Sequence, residues 1–158
     1  MRKSLFITQG ALIAALYVAL TYVANIAGLA NGAIQLRISE ALTVLPYFTP
    51  AAIPGLFIGC LIANLLTDGV LANIIVGSLA TLIGAVGTRL LRKNKWLAAV
   101  PPILSNTIIV PFILMFAYHF PGSYFYFAFT VFIGEFITAG IFGTVLLLAI
   151  KSRAPHLF

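Results

Sequence analysis

The sequence predicts an all-α integral membrane protein: a single transmembrane domain over residues 1–158, crossing the bilayer six times with both ends in the cytoplasm. Three observations lead there. The chain is 62% hydrophobic and 8% charged, with a mean hydropathy of +1.13, more apolar surface than a soluble domain of this length can bury. Its apolar runs have the length of membrane spans, about 20 residues. Its cations gather at the borders of those runs, where they set orientation.

The first run, Leu5 to about Ala27, follows "MRKS". It is too long for the apolar core of a signal peptide and reads as a retained first helix. Leu71–Leu91, Trp96–Tyr118 and Phe125–Ile150 are three further spans. The stretch Ile38–Thr67 is ambiguous. As one straight helix it would be about 45 Å long, too long for one crossing and short for two. Pro46, Pro50 and Pro54 break it in the middle. Charge decides between the counts. Arg2 and Lys3, then Arg89, Arg92, Lys93 and Lys95, then Lys151 and Arg153 form three basic groups that the positive-inside rule places in the cytoplasm. An even number of crossings must separate the first two groups, so the stretch divides into a short span, Ile38–Phe48, and a second, Ala52–Thr67.

Small residues recur at four-residue spacing: Ala11, Ala15 and Ala19 on the first helix, Gly55, Gly59 and Ala63 on the third, Ala80 and Gly84 on the fourth, Ala139 and Gly143 on the sixth. Such stripes let backbones approach closely. For the later helices they read as packing within the bundle. The first helix either packs inward or offers its Ala face to another subunit.

The six-span topology sorts the remaining charges. The three acids, Glu40, Asp68 and Glu135, fall in the outer half or near the midplane, with Arg37 the lone cation there. A polar cluster of this kind inside a small bundle reads as a ligand pocket open to the outside. Arg37 and Glu40 are three residues apart, so they either pair as an anchor for the short second helix or lie at the pocket rim, with Gln35 on the preceding loop. Glu135, about 15 Å along the last helix, is pinned by a neighbour such as Asn106 or Tyr118, or touches ligand. Asn106 faces the same choice between an interhelical hydrogen bond and ligand. Asn64 and Asn73 read as helix caps, Asp68 as a turn residue and His119 as part of an external loop.

Other classes find no support in the residues. Cys60 is the single cysteine and reads as a packing residue, and no Cys/His cluster has metal-ligand spacing. There is no H-E-x-x-H, no G-x-S-x-G and no phosphate-binding glycine loop, so neither an enzyme nor a nucleotide site is expected. The net charge of +6 is spread over span borders, which argues against nucleic acid.

Over "IQLRISEALTVLPYFTPAAIPGLFIGCLIANLL", "GSLATLIGA" and "NKWLAAVPPILSNTIIV", and so over nearly the whole chain, the sequence resembles the QueT family of queuosine-precursor transporters. These are substrate-binding S-components of energy-coupling factor (ECF) transporters. The resemblance implies a six-helix S-component bundle in the cell membrane, with no cofactor of its own. The implied partners are a transmembrane coupling subunit and two cytoplasmic ATPases that bind the ATP. It assigns Ala11, Ala15 and Ala19 to the coupling subunit, and a deazaguanine, such as the aminomethyl precursor or queuine, to the pocket. The residues themselves nominate Gln35, Arg37, Glu40, Asn106, Tyr118 and Glu135 as that pocket. Two alternatives stay open: an S-component for another vitamin-like ligand, and a self-sufficient small proton-coupled carrier in which Glu135 titrates.

Overall fold

The computed structural model describes residues 3–30 and 34–153; within them the regular structure is helical throughout, with no strand. Arg2, one of the cations from which the sequence reading orients the first span, lies outside the described residues. Helix α1 is Lys3–Ile26. A 3-10 helix, Ile38–Tyr47, and α2, Ala52–Thr67, follow. A π-helical turn, Asn73–Gly77, leads into α3, Ser78–Leu90. Helix α4 is Val100–Phe116, α5 Tyr124–Glu135 and α6 Gly143–Arg153. A π-helical stretch, Phe136–Phe142, joins α5 to α6 in one 30-residue rod.

Among the described residues, four stretches are long and apolar enough to cross a membrane: Lys3–Ile26, Asn73–Leu90, Lys95–Phe116 and Tyr124–Arg153. Each ends within a few residues of a span expected from the sequence. Ala52–Thr67 is apolar but shorter, and its bounds are those expected. The local signals are ordinary ones. Ser123 accepts from the Tyr126 N–H and starts α5. Lys151 and Arg153 occupy the last turn of α6, where the helix dipole favours cations.

The stretch expected as a short second span is the surprise. It is a 3-10 helix of ten residues, where runs beyond three or four are uncommon. At about 2.0 Å per residue it reaches roughly 20 Å, against about 15 Å as an α-helix. Its residues Ser39–Pro46 are all buried. It packs against α1, α2, α3, α6 and the π-helical stretch before α6, so it forms the axis of the bundle. Enclosed on every side, its three polar side chains, Ser39, Glu40 and Thr43, are buried with the apolar ones and each takes a hydrogen-bond partner inside the bundle. Its far end is held by Arg89, whose Nη1 donates to the carbonyls of Pro46 (3.1 Å) and Tyr47 (3.4 Å). The cation therefore meets the negative end of a helix.

The small-residue stripes on α2, α3 and α6 pack inside the bundle. Gly55 lies against Gly10 of α1, so close that a Cβ would sit 2.6 Å from the Gly10 carbonyl oxygen. Gly59 lies against Ala14 and Tyr17, Gly84 against Pro102, and Gly143 against Val44 of the 3-10 helix. The α1 stripe behaves differently. Ala11, Ala15 and Ala19 are exposed, and with Ile58, Ile62 and Leu66 of α2 they line an apolar groove of about 810 Å³.

Candidate functional site

Two polar systems meet where the chain enters the 3-10 helix. The first lies in the bundle core. Glu40, in the opening turn of that helix, is fully buried. Its Oε1 accepts from the Tyr17 hydroxyl of α1. Asn106 of α4 stands between Glu40 and Glu135: its Nδ2 donates to Glu135 Oε1 at 2.9 Å and to Glu40 Oε2 at 3.4 Å. One turn along α1 from Tyr17, Thr21 donates to Ser39 Oγ at 2.8 Å. Glu135 ends α5 immediately before the π-helical stretch, and its second oxygen is buried without a hydrogen-bond partner. Two carboxylates thus share few donors in an apolar bundle, an arrangement that asks for a further donor or cation.

The second system starts at Arg37. Its backbone is extended (φ −91°, ψ 91°), which carries the guanidinium away from the helix that follows. Nη2 donates to Asn64 Oδ1 of α2. Asn64 donates to the Asn73 carbonyl at 3.0 Å, and Asn73 donates to Asp68 Oδ2 at 2.6 Å. The same oxygen accepts from the Tyr118 hydroxyl at 2.6 Å, while Asp68 Oδ1 accepts from the Val70 N–H at 2.8 Å. Partial burial, together with the Asp68 carboxylate, holds the Tyr118 phenol above its ordinary range, so it keeps its proton and remains a donor.

The second system borders a cavity of about 280 Å³, lined by Thr21, Asn25, Gln35, Arg37, Asp68 and Tyr118, among others. The structure therefore divides the six candidates. Gln35, Arg37 and Tyr118 face the cavity; Glu40, Asn106 and Glu135 form the buried cluster beside it. The Gln35 stretch separates the two, its carbonyl pressed on Gly134, the neighbour of Glu135. Three expectations change. Arg37 and Glu40 turn to different partners rather than to each other. Glu40 sits in the core rather than at a rim. Tyr118 bonds Asp68, which leaves Asn106 as the residue that holds Glu135.

Comparison with known proteins assigns the chain. The model of a family described as QueT transporter matches residues 7–152. The chain belongs to the QueT transporter family. The family is one of transporters, not enzymes. A protein of Lactococcus lactis subsp. cremoris named queuosine precursor transporter QueT is 38% identical over 81 residues, 51% of this chain and 47% of the relative. The matched region thus spans about half the length of that relative. No solved structure matches the chain.

Several residues of the candidate site in this QueT-family chain escape a reading of the sequence. Tyr17 sits in an apolar helical run and looks like packing; a hydroxyl among small residues, needing a partner when buried, is the one clue. Asn64 and Asn73 read as caps because they fall near helix ends. Asp68 is the turn residue expected, through its bond to Val70, and is also the acceptor on which Asn73 and Tyr118 converge.

Proposed function

We propose that this chain is the substrate-binding membrane subunit of an ECF-type importer, capturing a queuosine precursor of the deazaguanine class. Membership of the QueT family supports the transporter role. The observation that carries the ligand reading is the polar cavity of about 280 Å³, one of whose lining residues, Gln35, rests its carbonyl on Gly134, the neighbour of an acid with a buried, unpartnered oxygen. The space is at the small end of ligand pockets, roughly 300–1,000 Å³, and suits one fused-ring heterocycle better than a nucleotide. A guanine edge offers adjacent N–H donors that one carboxylate accepts together, and an aminomethyl group supplies a cation. Arg37, Gln35 and Tyr118 meet the ligand in the cavity. Glu40 and Glu135, bridged by Asn106, take its donors once the Gln35 stretch yields.

In this reading the four long helices, Ala52–Thr67 and the 3-10 helix make six crossings with both ends cytoplasmic, in the cell membrane. The cavity then opens outward, and the exposed Ala11, Ala15 and Ala19 dock on a coupling subunit whose two ATPase partners supply ATP hydrolysis. Tilting of the subunit in the membrane releases the ligand inside. Topology is checked in a Cys60→Ala background: Asn94→Cys is expected to label only from the cytoplasm and Ser123→Cys only from outside. Labelling of both from one side refutes the topology.

The direct test of function is mass spectrometry of ligand released from the purified protein, with co-purification of coupling subunit and ATPases. A different vitamin-like molecule would move the chain to another S-component specificity. Ligand uptake driven by a proton gradient in vesicles holding this chain alone would favour the proton-coupled carrier. Ala15→Trp is expected to leave ligand binding by the isolated chain intact and to abolish assembly, because a bulky ring blocks close helix approach. Normal assembly of this variant removes the docking role from the α1 face.

A further inference from the structure

The chain between α4 and α5 carries a feature that the function above does not use. His119 has φ +53°, the only positive φ of a non-glycine residue among those described. Positive φ is uncommon in non-glycine residues, and histidine, with asparagine and aspartate, is one of those that adopt it most readily. It reverses the chain locally, so that residues 118 and 120 both turn to one side. Their rings lie stacked, with centroids 5.7 Å apart and planes at 28°. Both line the 280 Å³ cavity, Tyr118 half-buried and Phe120 with its outer side exposed, while the His119 side chain is exposed. The backbone of this loop is tied to the end of α4, with Tyr118 N–H donating to the Ile113 carbonyl (3.2 Å) and Phe120 N–H to that of Leu114 (3.1 Å). Across the cavity, the Tyr118 hydroxyl reaches Asp68 in the loop after α2 at 2.6 Å.

We propose that the loop of residues 117–123 is an aromatic cover over the cavity, latched by the Tyr118–Asp68 hydrogen bond, and that a planar heterocycle is held by stacking beneath Tyr118 and Phe120. This rests on the reading of the cavity as the ligand site. The parts divide the work. Asp68 is fixed by Val70 and Asn73, so it offers a stationary acceptor. Tyr118 supplies both the latch and ring surface. Phe120 supplies ring surface alone. His119 sets the turn that brings the two rings to the same side; its side chain is not required. Opening the cover breaks one hydrogen bond to a carboxylate and takes the cavity-facing sides of two aromatic rings off the ligand, which makes escape of a ligand slower than its diffusion.

The test has two arms, both on the full chain in detergent. The first needs no ligand: hydrogen exchange at the backbone amides of 117–123. Tyr118→Phe and Asp68→Asn are expected to speed exchange there roughly tenfold, without a matching rise in the middle of α4 and α5. His119→Val, a branched residue forced to positive φ, should do the same, and His119→Gly should not. The second arm measures dissociation of 7-aminomethyl-7-deazaguanine. Tyr118→Phe and Phe120→Leu should each release it roughly tenfold faster, while Phe120→Trp, which keeps a stacking face, should release it near the wild-type rate. Unchanged exchange in Tyr118→Phe and Asp68→Asn overturns the latch. Faster exchange with unchanged dissociation overturns the cover. A wild-type chain that binds no deazaguanine overturns the ligand reading of the cavity; the exchange arm then decides the latch alone.

Discussion

Asn106→Leu is expected to cost about 3 kcal/mol or more of stability, because it removes the donor that two buried carboxylates share. The substitution preserves shape and takes away only the amide. Glu135 then loses its 2.9 Å partner and Glu40 its 3.4 Å one, in a bundle interior that offers no water in exchange. The measurement is unfolding of the ligand-free protein in detergent. Adding Glu135→Gln to Asn106→Leu should recover part of the loss by replacing one of the two acids with a neutral amide that brings its own donors, a non-additivity expected of groups in contact. A single variant within about 0.5 kcal/mol of wild type would mean that the two acids do not depend on Asn106, and the buried cluster would have to be redrawn.

Gly55→Ala should be disruptive for a different reason. A Cβ at this position meets the carbonyl oxygen of Gly10 at 2.6 Å, and that atom is backbone, with no rotamer to retreat into. Helices α1 and α2 must separate, and overpacking of this kind costs about 1–3 kcal/mol. Gly140→Ala is the matched control. Its Cβ would find its nearest neighbour, a methyl of Ile103, at 3.5 Å, an ordinary contact. It should stay within about 1 kcal/mol of wild type. Equal tolerance of both variants would show that α1 is not seated on Gly55 as described.

These sites also show what a sequence can and cannot convey. The apolar runs and the cations at their borders mark every helical stretch, because length and hydrophobicity are all that a membrane-sized helix needs to announce itself. Ala52–Thr67 follows from the prolines before it and the Thr-Asp-Gly turn after it. The helix type of Ile38–Tyr47 is not legible, since its three polar residues, Ser39, Glu40 and Thr43, are buried with the rest and are too few to distinguish a period of 3.0 from 3.6. The π-helical stretches are hidden similarly: one added residue in a long apolar run leaves its composition unchanged. Within the site, Glu135 and Asn106 stand out because polar groups inside spans are costly, and the structure brings them together. The Arg37–Glu40 spacing misleads because the helical i, i+3 rule requires both residues to be in the helix. Arg37 is still extended, and its guanidinium crosses to Asn64 instead.

The axial 3-10 helix has a mechanical consequence. A 3-10 turn advances about 120° and 2.0 Å per residue, an α turn about 100° and 1.5 Å. Over the ten residues Ile38–Tyr47, rewinding one form into the other would rotate one end against the other by about 200° and shorten the rod by about 5 Å. Neither end is free to turn. Glu40 is gripped by Tyr17 and Asn106, and the last carbonyls are gripped by Arg89. The axis behaves as a screw clamped in two vices. A conformational cycle that uses its rotation must first open one of those grips, and the guanidinium of Arg89, half-buried at the end of α3, is less enclosed than the fully buried Glu40.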